Sequence, residues 1–197
     1  IESLLYIYLY IIMKKTIKKP SNHSNYVVAI PTYKRYEEIT TKTLPTLKRG
    51  KVNKQKIYVF VANKVEEKLY KGKMDPNTYH KIVVGKKGLV PQRRYISKYF
   101  PVGKKIVSLD DDVQNMIQLT KGNKLKKITN LDTFFKRAFK TLNKHNMYLW
   151  GVYPVKNNLF MKHNITTDLR FVIGVVHGYI NRHSKDLYPN LKSVGKE

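Results

Sequence analysis

The chain has 197 residues, no cysteine, and 39 lysines and arginines against 13 aspartates and glutamates, a formal charge of +26 with a pI of about 10.1. That length allows one domain with a sizeable core plus a tail, and the lack of cysteine excludes a disulfide framework and a thiolate zinc site. The charge suits a polyanionic partner such as nucleic acid, although 32 of the 39 cations are Lys in a chain rich in Asn, Ile and Tyr, a mixture that AT-rich codon usage also produces.

Residues 4–12 (Leu-Leu-Tyr-Ile-Tyr-Leu-Tyr-Ile-Ile) form an apolar run. It is shorter than the roughly 20 residues of a membrane span, and no basic stretch precedes it as in a secretory leader. Neither stable membrane association nor secretion is expected. The first methionine is Met13, so residues 1–12 are read as lying upstream of the true start, with a short anchor or a stray strand as the other readings. They are set aside from the fold. Lys14 to Asn25 is a basic, polar lead-in, and the domain is placed at 26–197.

Tyr26-Val27-Val28-Ala29-Ile30, halted by Pro31, has the continuous apolar character of a strand buried on both faces. Glu37 to Leu47 has helical character, with Pro45 predicting a kink or an early end. Ile57 to Ala62 repeats the first strand, and Val65 to Tyr70 forms a short helix with Glu66 and Glu67 in its first turn. His80 to Gly85 is a third strand. It leads through Lys86-Lys87-Gly88-Leu89-Val90-Pro91 into a helix over Gln92 to Tyr99, whose start beside Arg93 and Arg94 is a natural anion site.

Ile106 to Leu109 is the fourth strand, and Asp110, Asp111 and Asp112 follow at its end. Three adjacent carboxylates repel unless a cation or hydrogen-bond donors neutralise them. On an extended segment Asp110 and Asp112 point the same way and can share one ion. Oxygen-only ligands suit Mg or Mn with positions left for substrate phosphates. A solvated acidic turn is the alternative for an isolated Asp-x-Asp. Placement at the carboxyl end of a buried strand favours the ion site, because ligands of open α/β sheets gather there. Strand–helix alternation, repeated three times, predicts a parallel sheet with right-handed crossovers.

Leu131 to Leu142 places Phe135, Ala138, Phe139 and Leu142 at helical spacing, as core residues. Tyr148 to Pro154 and Leu169 to Ile180 then read as two strands with no helix between them, an antiparallel addition to the sheet. His177 lies in the second and is read as a core histidine, with a metal or acceptor contact as the other reading. No Walker loop, Gly-x-Ser-x-Gly or His-Glu-x-x-His motif is present.

Val-Ala-Ile-Pro-Thr-Tyr-Lys-Arg at 28–35, followed by a β/α half and Ser-Leu-Asp-Asp-Asp at 108–112, resembles a nucleotide-sugar transferase of the GT-A fold. With Gly85-Lys86-Lys87-Gly88-Leu89, Gln92-Arg93, Trp150-Gly151 and Tyr153-Pro154, the ordered set is most similar to the TET-associated glycosyltransferases, which accompany pyrimidine-oxidising enzymes in viruses and some eukaryotes. The resemblance implies a single GT-A-like (Rossmann-like) α/β domain with a central, mainly parallel sheet, flanking helices and antiparallel additions in the C-terminal part. It implies a UDP-sugar donor, glucose first, an Mn or Mg ion, and hydroxymethylated pyrimidines in DNA as acceptor. A virus-encoded enzyme of this kind would act in the cytoplasm or nucleus of a host cell.

By the same resemblance, Pro31, Thr32, Tyr33 and Arg35, with Ala62 and Asn63, would line the nucleoside pocket. Gln92 and Arg93 would approach the diphosphate or the sugar. Asp110 would face the ribose or sugar, with Asp111 in the same donor-binding set, and Asp110 and Asp112 would hold the metal. Asp112 and Glu197 are the catalytic candidates. Glu197 falls where this fold carries the base of an inverting transfer, and as the last residue it suggests a domain truncated at its C-terminus. Trp150 and Tyr153 could stack on an extruded base, with core packing as the other reading.

A transferase acting on a glycan, lipid or protein would share the donor half and differ after residue 147. An inactive, basic nucleic-acid-binding module with the same fold is the alternative from another class. A sugar nucleotidyltransferase is disfavoured, because no Gly-rich triphosphate loop follows the first strand. The sequence sets no oligomeric state.

Overall fold

The computed structural model describes residues 6–8, 26–120, 124–153 and 174–183. One sheet runs through the described residues, its strands lying in the order Tyr6–Tyr8, Leu149–Tyr153, Val176–Ile180, Lys105–Leu109, Tyr26–Pro31, Ile57–Val61 and Lys81–Val84. Its parallel half consists of β2 (Tyr26–Pro31), β3 (Ile57–Val61), β4 (Lys81–Val84) and β5 (Lys105–Leu109). All six residues of β2 are buried, as the continuous apolar run requires of a strand covered on both faces. The other half is antiparallel: β9 (Val176–Ile180) pairs with β5, and β8 (Leu149–Tyr153) with β9. The antiparallel addition expected after residue 147 is therefore present. Residues 169–173 of the expected last strand lie outside the described residues.

β1 (Tyr6–Tyr8) pairs antiparallel with β8 at the sheet edge. Within the run set aside above, Tyr6–Tyr8 forms a strand of this sheet. Alternating Tyr and Ile suits an edge position, where hydrogen bonding to a neighbour supplies what the short run cannot bury by itself.

Helices cover both faces. On one side α2 (Leu44–Arg49), α3 (Lys64–Lys73) and α5 (Leu131–Lys144) pack Leu44, Leu47, Tyr70, Phe135, Phe139 and Leu142 against Tyr26, Val28, Ile30, Val59 and Val107. On the other, α4 (Leu89–Tyr99) and the residue after it set Ile96 and Phe100 on Val27, Ala29, Phe60 and Ile106. The alternation of β2 residues between the two cores follows from the period of two along a strand. A mixed α/β domain with a GT-A-like sheet results.

Capping explains where two helices begin. Asn63 Oδ1 accepts from Glu66 N at 2.9 Å to start α3, one residue before the expected boundary, and Asn130 Oδ1 accepts from Thr133 N at 2.9 Å to start α5. α4 starts at Leu89 rather than Gln92, after Gly88 at φ 95°. Pro45 neither ends nor breaks its helix. One turn, α1 (Tyr36–Glu38), runs into a π-helical turn at Ile39–Thr43 and then into α2, with Pro45 in the first turn of α2. A proline lacks the N–H that would bond four residues back, and the wider turn absorbs that loss. A small hairpin, β6 (Ile117–Leu119) with β7 (Leu125–Lys127), follows the acidic segment. Its three-residue strands are too short to show a period in sequence.

Trp150 is fully buried, with its ring 6.0, 6.1 and 5.8 Å from Phe134, Phe135 and Phe139. Gly178 on the neighbouring strand leaves room for the indole, since a Cβ there would overlap it. Trp150 is thus a core residue and has no face for an acceptor base. The side chain of Tyr153 lies outside the described residues. Among the described residues no helix is long and apolar enough to cross a membrane.

Candidate functional site at the carboxyl ends of β2 and β5

From β2 the chain proceeds outward to β3 and β4 on one side, then returns to place β5 on the other. Such a reversal of direction leaves a crevice beyond the carboxyl ends of the two strands. Here those ends are Pro31-Thr32 and Leu109-Asp110. A cleft of about 320 Å³ opens there, lined by Pro31, Thr32, Tyr33, Arg35, Ala62, Gln92 and the three aspartates, together with Lys86, Gly88 and Leu89.

The aspartates follow a strand but occupy a turn, so the extended geometry assumed for Asp110 and Asp112 is corrected. Two arginines answer the three carboxylates, Arg93 at Asp110 and Arg35 at both Asp111 and Asp112. Asp110 Oδ1 accepts from Arg93 Nη2 at 3.0 Å, and its backbone carbonyl accepts from Thr43 Oγ1 at 2.9 Å. Asp111, 4 % exposed, accepts from Thr32 Oγ1 at 2.7 Å and pairs with Arg35 Nη1 at 3.1 Å. Asp112 is the open one, its Oδ2 accepting from Arg35 Nη2 at 2.9 Å. Adjacent acids separate in this way because three like charges aimed at one point would have no compensation.

Behind Thr32 lies Tyr70 of α3. Its hydroxyl is 2.8 Å from Thr32 Oγ1 and accepts from the backbone N–H of Arg35 at 2.9 Å. Because the Thr32 proton is committed to Asp111, the proton between Thr32 and Tyr70 comes from Tyr70. Donors therefore run in one direction, from Arg35 N through Tyr70 and Thr32 to Asp111. Tyr70 is fully buried and is a site residue that the sequence reading missed. The sequence placed it only at the end of a short helix.

Burial drives the electrostatics. The Asp110 carboxyl is pushed up to about 6 by its removal from water, with the neighbouring Asp112 and Asp111 adding to the rise and Arg93 opposing it. Burial likewise raises Asp111, against the pull of Thr32 and Arg35. The hydrogen bond to Asp112 raises Arg35, which stays charged. A turn of this kind holds its acids at a cost that an added cation would relieve.

Arg93, whose guanidinium also donates to Gly174 O at 2.8 Å, braces Asp110 and is not among the cleft-lining residues. Gly174 has no Cβ to collide with it. Gln92 is at the wall, but both ends of its amide serve the backbone: Nε2 donates to Val61 O at 3.1 Å, and Oε1 accepts from Lys86 N at 2.7 Å. Asn63 is the cap of α3 and is not a lining residue. Tyr33 stands half-open at the mouth, with Lys34 and Lys87 ammonium groups 5.5 and 5.6 Å from its ring centre. Lys86, Gly88 and Leu89 belong to the loop leading to the helix start read as an anion site, and the sequence did not mark them as cleft wall. His177 is 3 % exposed on β9, and burial lowers it to about 3, so it is a neutral core histidine. Glu197 lies outside the described residues.

The donor set fits a hard divalent ion. Among the described residues, the hydrogen bonds use Asp110 Oδ1 and Asp112 Oδ2, leaving one oxygen on each carboxylate. Among the described residues no group of three acidic or histidine side chains forms a ready-made cage, so further ligands would come from phosphates or water, as is usual for Mg.

No protein with a curated description matches the chain. The sequence model of the TET-associated glycosyltransferases matches residues 26–182, a span that includes every side chain of the cleft. With that match over most of its length, the chain belongs to the TET-associated glycosyltransferase family.

Proposed function

We propose that this glycosyltransferase takes its sugar, glucose first, from a UDP-sugar bound in the cleft between β2 and β5, and passes it to the hydroxyl of a hydroxymethylated pyrimidine in DNA. The observation that carries the donor half is the meeting of Thr32 with the three aspartates at the reversal point of the sheet. The flat, half-open ring of Tyr33 suits a nucleobase, and Lys86 at the wall suits a phosphate. Asp110 and Asp112 would hold Mn or Mg, which when bound supplies positive charge to the departing diphosphate.

The chain's own residues prepare that exchange. Arg93 and Thr43 fix Asp110 at its side chain and its carbonyl, so that it does not reorient on ligand entry. The bond from the sugar's anomeric carbon to the diphosphate breaks as the acceptor oxygen bonds to that carbon. The acceptor's proton then needs a base, and Glu197 would take that role. The charge of +26 agrees with an acceptor that is itself a polyanion.

Thermal unfolding with UDP, with Mn, and with both tests the donor half. Joint stabilisation, weaker with ADP and absent from an Asp110→Asn/Asp112→Asn double variant, is the expected result. No shift with either ligand, beside a shift with DNA alone, would replace the transferase reading by that of a binding module. Sugar transfer to hydroxymethylated but not unmodified oligonucleotides tests the acceptor.

A further inference from the structure

Arg35 does more in this structure than line a pocket. One guanidinium spans two adjacent carboxylates, Nη1 to Asp111 Oδ1 at 3.1 Å and Nη2 to Asp112 Oδ2 at 2.9 Å, with Nε 3.8 Å from Glu38 Oε1. Its main chain is pinned. The N–H donates to Tyr70, and the preceding Lys34, at φ 55°, donates its own N–H to Glu66 Oε2 at 3.0 Å. The side chain, in contrast, is 43 % exposed and stands at the wall of the cleft.

Its two ion pairs are unequal. The Asp111 side chain is only 6 % exposed and is also held by Thr32, whereas that of Asp112 is 40 % exposed and has Arg35 as its partner among the described residues. Exposed ion pairs are weak and readily exchanged. Asp112 is therefore the carboxylate from which the guanidinium is most easily removed. A guanidinium bridges two oxygens of a phosphate as well as it bridges carboxylates, and an ammonium cannot.

We propose that Arg35 is the resting counter-cation of the acidic turn, and that its displacement links cation binding to anion binding in the cleft. With a divalent ion held at Asp112, one arm of the Arg35 guanidinium would be free of its carboxylate. That arm faces a cleft where a phosphate of the ligand takes it up. By linkage, the anionic ligand then strengthens cation binding by the same factor as the cation strengthens binding of the ligand. The proposal rests on the donor-site reading above and adds to it a residue whose partner changes on binding.

Mn affinity, read from the paramagnetic resonance of the free ion, tests this in the wild type, Arg35→Gln and Arg35→Lys, each with and without UDP. Arg35→Gln removes the competitor, so Mn alone binds it about 5-fold or more tightly than the wild type, and the factor by which UDP strengthens Mn binding falls by about as much. Arg35→Lys, unable to bridge, lies between the two. An Arg35→Gln protein that binds Mn no better than the wild type, or that keeps the full UDP effect, overturns the role of Arg35 and leaves the donor site standing. A wild type that binds Mn neither alone nor with UDP overturns both. Should Arg35→Gln fail to fold, Arg35→Lys decides, because wild-type affinity and coupling in it would also overturn the proposal.

Discussion

Thr32 Oγ1 donates a 2.7 Å hydrogen bond to Asp111 Oδ2 across 79 residues, the same separation that pairs Ala29 with Ser108 in the sheet. The parallel register of β2 and β5 simply continues past the last strand residues and sets the threonine opposite the middle aspartate. Register thus reaches the chemistry directly, and a slip of one strand by one residue would turn its side chain to the other face and part the pair.

Replacing Thr32 by Val keeps the shape and removes the hydroxyl. Asp111 and Tyr70 would then be buried short of one partner each, an arrangement that costs about 1–3 kcal/mol. Urea unfolding should show that loss for Thr32→Val and recover most of it in Thr32→Ser. Equal stability of the valine variant and the wild type would remove Thr32 from its keystone position.

The three aspartates should separate in their effects. Asp112→Asn changes an open side chain and should leave stability within about 0.5 kcal/mol while abolishing joint stabilisation by Mn and UDP. Asp111→Asn removes the charge of a buried carboxylate held by Thr32 and by the half-exposed Arg35, and should lower stability by about 1–3 kcal/mol. Denaturant midpoints beside ligand-induced shifts give both readouts, and identical behaviour of the two variants would contradict the division seen in the turn.

Gly178→Ala should destabilise the protein by about 1–3 kcal/mol, because its new methyl group meets the Trp150 indole in a filled core. Thermal unfolding checks the loss. Trp150→Phe in the same chain should restore part of it, which a backbone effect of the alanine would not allow.

Acid stability depends in part on Asp132. Burial alone would raise its carboxyl, but hydrogen bonds from Lys136, Lys56 and Tyr26 overcome this and hold it at about 2. A depressed folded value means stability that is present above the ordinary value of 3.8 and is lost as pH falls toward about 2. Asp132→Asn should therefore unfold more easily at neutral pH and show a shallower decline between about pH 4 and pH 2. Parallel acid limbs in variant and wild type would contradict the assignment.

Much of this was readable in the chain itself. Tyr26 to Ile30, Ile57 to Ala62 and Ile106 to Leu109 announce strands buried on both faces, because only such strands can be apolar without alternation. Pro31 and the aspartates show where two of them end, and that is enough to place a cleft at their carboxyl ends. Residues joined by local rules, such as the apolar face of α5, were equally plain.

Tertiary structure alone decided which side chains do what there. Trp150, a candidate for stacking on a base, is enclosed by three phenylalanines, and Asn63, a candidate for the pocket, caps a helix. Tyr70, 38 residues from Thr32, enters the site through a helix whose spacing says only that one face is buried. Tyr6–Tyr8 joins the sheet by pairing with β8, which no property of the first twelve residues could specify. Asn63 is set by its own helix, three residues away, but the physical reason is common to the other three. Strand endings and helix faces follow from interactions within a few residues, whereas hydrogen-bond partners and ring packing depend on register and crossover between segments dozens of residues apart.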